Sequence, residues 1–65
     1  MIGKEIQKQR KQLQLNQQTL ADLAEISINT LVAIERDKGS VTIQNIEKVL
    51  DVLGLELFVK QRERN

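Results

Sequence analysis

Six polar side chains between Gln17 and Arg36 carry most of the chemistry this sequence offers: Gln17, Gln18, Ser27, Asn29, Thr30 and Arg36. Carboxamides, hydroxyls and a guanidinium hydrogen-bond well but do not make or break covalent bonds unaided. The sequence has no histidine and no cysteine. That removes disulfides, thiolate nucleophiles, zinc sites and the side chain most often used to move protons near neutral pH. Ser27 and Ser40 are the serines present, and nothing stands ready as a base to activate them. An enzyme is not expected, and neither is a cofactor; the chemistry on offer is recognition.

The elements that must hold these groups follow from the apolar spacing. Leu20, Ala21, Leu23, Ala24, Ile26, Leu31 and Ile34 describe two short amphipathic helices, joined by a break too tight for an ordinary loop. The polar set falls where the second of these helices could face a nucleic-acid groove, the layout of a helix-turn-helix. Asn16 is a suitable N-cap for a helix over about residues 17–25, and Ser27 for one over about 27–37. Gly39 sits where a left-handed C-terminal cap belongs, with Lys38 suited to the negative end of the helix dipole.

Thr42 caps the next segment, about residues 43–53, where Ile46, Val49, Leu50 and Leu53 make the clearest helical stripe before Gly54 ends it. Upstream, Ile2, Ile6 and Leu13 share one helical face and predict a helix over about residues 2–13; a disordered Gln/Lys-rich opening is the alternative. After Gly54 the period changes to two, with Leu55, Leu57 and Val59 alternating with Glu56, Phe58 and Lys60. This predicts a short strand over about residues 55–60 and a frayed tail at 61–65; helix continuation or an extended tail packed on the core are the alternatives. The expected fold is mainly α: a four-helix bundle with a short C-terminal β-strand.

Sixty-five residues make one domain, and a chain this short hides only about 60% of its unfolded surface. A partner subunit is therefore expected to share the burial. A lone strand cannot satisfy its own backbone, and a bare apolar edge invites association. Pairing with the same strand of a second copy across a two-fold axis answers both needs and makes Leu55, Leu57, Phe58 and Val59 the expected dimer interface. No apolar run approaches the roughly 20 residues of a membrane span, and the opening is too densely polar for a signal peptide. With no disulfide staple, a soluble cytoplasmic protein is expected.

The net charge is +1, but it is unevenly spread. Residues 15–37 carry Asp22, Glu25, Glu35 and Asp37 against Arg36 alone. Attraction to phosphate must come from flanking groups: the first helix with Lys4, Lys8, Arg10 and Lys11, then Arg36, Lys38 and the basic tail.

Asn16, Gln17, Gln18, Thr19, Leu20 and Ala21, followed by Ile26, Leu31, Ile34 and Glu35, resemble the phage repressor/Cro type of helix-turn-helix, the XRE family, over roughly residues 4 to 53. Ala21 falls where two crossing helices leave room for a small side chain only. The resemblance implies a partly buried ion pair between Arg10 and Glu35; two solvated charges are the alternative, worth about 0–1 kcal/mol. Glu25 departs from the family, which usually has glycine at this left-handed turn position.

The resemblance also implies a role for each polar position. Gln17 would bond a phosphate, with Gln18 and Thr19 as weaker candidates. Ser27, Ile28, Asn29, Val32 and Ala33 would face the major groove of double-stranded DNA. Asn29 is the candidate for direct readout, because a carboxamide pairs with N6 and N7 of adenine. Ile28, Val32 and Ala33 offer contacts to thymine methyls, although core packing is an alternative for Ile28 and Val32. Thr30 would lean to a phosphate. Arg36, Lys38 and the amides opening the helix capped by Thr42 would complete the backbone clamp.

Val52, Leu53, Gly54, Leu55, Glu56 and Leu57 followed by a strand further resemble the HipB-like subgroup, small dimeric repressors that act as antitoxins of HipA-like kinase toxins. The expectation is a homodimeric transcriptional repressor on operator half-sites about one helical turn apart. A protein-binding module that neutralises a toxin or scaffolds a partner is the rival, favoured by the acidic second and third helices.

Overall fold

A computed structural model describes residues 2–59 and 61 of the protein, and among these described residues four helices account for the regular structure: α1 (Ile2–Gln12), α2 (Gln17–Ala24), α3 (Ile28–Glu35) and α4 (Ile43–Leu53). None is long and apolar enough to cross a membrane. The three later helices start at side-chain caps. Asn16 accepts from the Thr19 amide at 2.7 Å, Ser27 from Thr30 at 3.1 Å and Thr42 from Asn45 at 3.2 Å. Each cap satisfies one amide that the helix cannot bond internally.

All four helices end alike, with the chain turning through a left-handed residue that lets two amides reach back to carbonyls of the last turn. After α1 this residue is Gln14, after α2 Glu25, after α3 Asp37 and after α4 Gly54, with φ between 54° and 70°. The closing bonds run Leu15 to Arg10, Ile26 to Ala21, Lys38 to Ala33 and Leu55 to Leu50, at 2.9–3.1 Å. Asp37, and not Gly39, is the left-handed residue that follows α3; Gly39 adopts φ 78° further along the loop. The third helix is accordingly shorter than expected at its end, with Arg36 as its C-cap.

One core joins the helices. Ile6, Leu20, Ala21, Ala24, Leu31, Ile34, Val49, Leu50 and Leu53 are buried, and Ile2, Leu15, Ile26, Val41, Ile46, Val52 and Leu55 pack around them. Leu13 and Leu23 do not join. Leu13 is 46% exposed because α1 stops at Gln12 and the Gln14 turn presents Leu15 to the core in its place. Leu23 is 57% exposed because the buried edge of α2 runs through Leu20, Ala21 and Ala24, three and four residues apart.

Gly3 sets how closely α1 approaches α3. A Cβ at Gly3 would lie 2.7 Å from the Ile34 carbonyl oxygen and closer still to that of Glu35, so only glycine permits this crossing. Its amide donates to Asp37 Oδ1 at 3.0 Å, placing a carboxylate at the positive end of α1.

Beyond Gly54, residues 55–59 are neither helix nor, within the chain, part of a paired strand. The fourth helix therefore does not continue through this segment. Lys60 and residues 62–65, the end of the expected strand and most of the expected frayed tail, lie outside the described residues.

Candidate nucleic-acid interface

The turn between α2 and α3 is three residues long, Glu25, Ile26 and Ser27. Its sharpness comes from Glu25 at φ 58° and ψ 43°. This conformation costs a non-glycine residue about 1–2 kcal/mol; the Glu25 and Ile26 amides reach Asp22 and Ala21 carbonyls at 3.2 and 3.0 Å in return. Ile26 packs against the core and Ala21 is fully buried at the helix crossing, as its small side chain implied.

At the opposite end of α3 from the turn lies a polar fastener. Arg10 grips Glu35 with two bonds, Nε to Oε2 at 2.8 Å and Nη2 to Oε1 at 3.1 Å. The side chains are 11% and 2% exposed, so this is a buried pair and not two solvated charges. Arg10 Nη1 also donates to the Leu15 carbonyl at 2.9 Å, and Gln17 Nε2 donates to Glu35 Oε1 at 3.1 Å. One carboxylate thus ties α1, α2 and α3 together, and a buried charge is tolerated because its acceptors are filled.

The pair also changes the charge of the region. Glu35 is neutralised internally by Arg10, and Asp37 is turned toward the N-terminus of α1. Of the four carboxylates between residues 15 and 37, Glu35 is therefore paired with a cation from within and Asp37 faces a helix N-terminus, leaving the exposed face less acidic than the sequence suggested.

The expected recognition residues divide by exposure. Ser27, Ile28 and Asn29 are exposed at the start of α3, Thr30, Val32 and Ala33 are half-buried along it, and Arg36 and Lys38 are exposed beyond its end. At 36% exposure Ile28 is no core residue, and Leu31 and Ile34 fill the inward stripe. Gln18 and Thr19 are exposed on α2.

Some of these side chains already have partners. The Gln17 carboxamide donates to Glu35, and Gln18 Nε2 donates to Asp22 Oδ1 at 2.8 Å. What Gln17 and Gln18 present freely is the opening of α2, where unbonded amides and the helix dipole favour an anion. The Thr30 and Ser27 hydroxyls lie 2.8 Å apart, bonded to each other, which holds Thr30 against its own helix turn.

Other residues that support the interface were not evident beforehand. Gln7 Nε2 donates to the Glu35 carbonyl at 2.9 Å and Gln9 Nε2 to the Leu53 carbonyl at 3.3 Å, so two glutamines of the Gln-rich opening cap the ends of α3 and α4. The available signal was the spacing of Gly3, Ile6, Gln7 and Arg10, which puts all four on one stripe of α1.

The sequence model of the helix-turn-helix family matches residues 6–59. Among solved structures, a chain of the SinR–SinI protein complex superposes with a TM-score of 0.76 at 36% identity, covering 85% of this chain and 54% of that one. This protein therefore spans about half the length of that neighbour. The master regulator for biofilm formation SinR, in complex with DNA, superposes with a TM-score of 0.76 at 35% identity, covering 86% of this chain and 90% of that one. No curated protein matches the chain. The matched family pattern, the three-residue turn and the buried Arg10–Glu35 fastener agree: the chain belongs to the XRE-type helix-turn-helix family.

Proposed function

We propose that this protein is a DNA-binding transcription regulator that reads operator half-sites with α3 as a homodimeric repressor. The observation that carries the reading is the exposed Ser27–Ile28–Asn29 opening of α3, a helix whose other end is held to α1 and α2 by a buried polar fastener. A recognition helix needs such mounting, because base-edge hydrogen bonds discriminate only when donor and acceptor positions are fixed. The DNA-bound state of the SinR neighbour supports the same assignment.

In this reading the opening amides of α2 bind a phosphate beside Gln17 and Gln18, and Arg36, Lys38 and the Thr42-capped start of α4 bind others. Asn29 reads adenine, and Ile28, Val32 and Ala33 meet thymine methyls. One module with so few readers discriminates poorly, so two are needed, joined by antiparallel pairing of the Leu55–Val59 segments. Leu57, Phe58 and Val59 are 42, 83 and 93% exposed, apolar surface that a second copy would cover.

Fluorescence anisotropy on the protein's own upstream DNA, read as salt is raised, tests the assignment. A steep salt slope with clear preference over random duplex is expected. A shallow slope with no preference would transfer the protein to the rival class of protein-binding modules. The antitoxin role rests on Val52–Leu57 and on the SinR neighbour's complex with a second protein, SinI; its HipA-like kinase partner is tested by co-expression and co-purification with the adjacent reading frame.

A further inference from the structure

Two stripes of charge of opposite sign stand outside the residues assigned to reading DNA. On α1, Lys4, Lys8 and Lys11 are exposed and recur at i, i+4 and i+7. The opposite stripe, Gly3, Ile6, Gln7 and Arg10, packs toward α3 and the core, so the lysines point to solvent on the far side of the helix. Glu5 is the acidic residue at their edge. On α4, Glu47 and Asp51 are exposed four residues apart, behind the buried Val49, Leu50 and Leu53, and exposed Glu56 borders the same groove. Lys48 is the cation at its edge. Among the described residues neither set has an ion-pair partner within the chain, where the pair formed is Arg10 with Glu35. Like charges at helical spacing repel one another, so each stripe gains from a surface of opposite sign.

We propose that the lysine stripe of α1 docks on the acidic stripe of α4 in a second copy of this chain. The spacing matches: Lys4 and Lys8 lie one helical turn apart, as Glu47 and Asp51 do, about 6 Å along their axes. With the two helices parallel, Lys4 meets Glu47, Lys8 meets Asp51, and Lys11 reaches past the end of α4 on the side of Glu56.

Strand pairing through the backbone and apolar side chains of Leu55–Val59 leaves these carboxylates free. The contact joins unlike surfaces, so it runs head to tail and links dimers already formed. Three exposed ion pairs strengthen association about tenfold. That is too little to hold free copies together in dilute solution, and enough to favour neighbours already aligned on one duplex. This consequence rests on the DNA-binding role proposed above; the contact itself does not.

Carbodiimide joins an amine to a carboxylate where the two are in contact, so it reads these pairs directly. Equal amounts of unlabelled and isotope-labelled full chain are cross-linked at high protein concentration, at low and high salt, and the linked peptides are identified by mass spectrometry. Mixed-isotope links from Lys4, Lys8 or Lys11 to Glu47, Asp51 or Glu56 are expected at low salt and should largely vanish at about 1 M salt, where screening acts within about 3 Å. Links confined to one isotope, or none at all, overturn the proposal. So do links from Lys60 in place of the α1 lysines, which would give the acidic stripe to the C-terminal tail. Titrations on duplexes carrying one and two copies of the protein's upstream sequence read the consequence. The wild type should bind the two-copy duplex with about tenfold cooperativity, Lys4→Glu/Lys8→Glu should lose it, and adding Glu47→Lys/Asp51→Lys should restore it. Circular dichroism melts check that the variants fold. A lysine reversal that weakens binding to both duplexes equally assigns the stripe to phosphate and overturns the contact. Mixed-isotope links in a protein that binds neither duplex uphold the contact and overturn the DNA-binding role instead.

Discussion

Arg10→Met tests the buried fastener that holds the end of α3 to α1 and α2. In the wild type the Glu35 carboxylate accepts three bonds, two from Arg10 and one from Gln17, with 2% of its side chain exposed. Methionine replaces the volume of the arginine stem but none of its donors. Glu35 would keep a single amide partner, and the Leu15 carbonyl would lose the Arg10 Nη1 bond. Removing one member of a buried pair costs about 3–5 kcal/mol, because the survivor is an uncompensated charge. A 65-residue domain has a total stability of about 3–10 kcal/mol, so Arg10→Met should remove a large part of it. Urea denaturation followed by circular dichroism measures the loss. Arg10→Met combined with Glu35→Leu removes both charges and should recover most of the stability. A loss below about 1 kcal/mol for the single substitution, the range of exposed pairs, would show that the pair does not fasten the helices.

The left-handed turn residues give a second test: Glu25→Gly should raise stability by about 1 kcal/mol in the same urea assay, since its φ is 58° and glycine adopts it freely. Asp37→Gly should give no such gain, because the new glycine cannot accept the Gly3 amide. Gly3→Ala should destabilise by about 1–3 kcal/mol as its Cβ presses on the carbonyls of Ile34 and Glu35; an unchanged melting temperature would mean that α1 does not cross α3 this closely. On DNA, Asn29→Ala should cost about 1–3 kcal/mol and relax preference at one base pair, whereas Lys38→Ala should weaken all sequences alike and lower the salt slope by about one. Identical behaviour of these two variants in a binding titration would contradict the groove assignment.

Local rules were enough for much of this protein. Asn16, Ser27, Thr42 and Gly54 bound their helices as their side chains or lack of one dictate, and the Ile46–Val49–Leu50–Leu53 stripe faces the core. These readings hold because capping and amphipathic periodicity act over one helical turn, a range the sequence displays directly.

Tertiary structure decided the rest, because it depends on what lies opposite in space. Leu13 and Leu23 are as apolar as Leu20, yet chain reversal at Gln14 and the crossing of α2 leave them in solvent. Gly39 looked like the cap of α3, but Asp37 takes the strained turn, its carboxylate held by the Gly3 amide of another helix. Gln7 and Gln9, within a Gln/Lys-rich opening, cap the ends of α3 and α4. Gln17, marked for phosphate, spends its carboxamide on Glu35, whose charge counts against DNA binding in the sequence and is neutralised by Arg10 in the fold. A sequence states which groups are present; which of them remain free to meet a ligand is determined only when distant segments have claimed their partners.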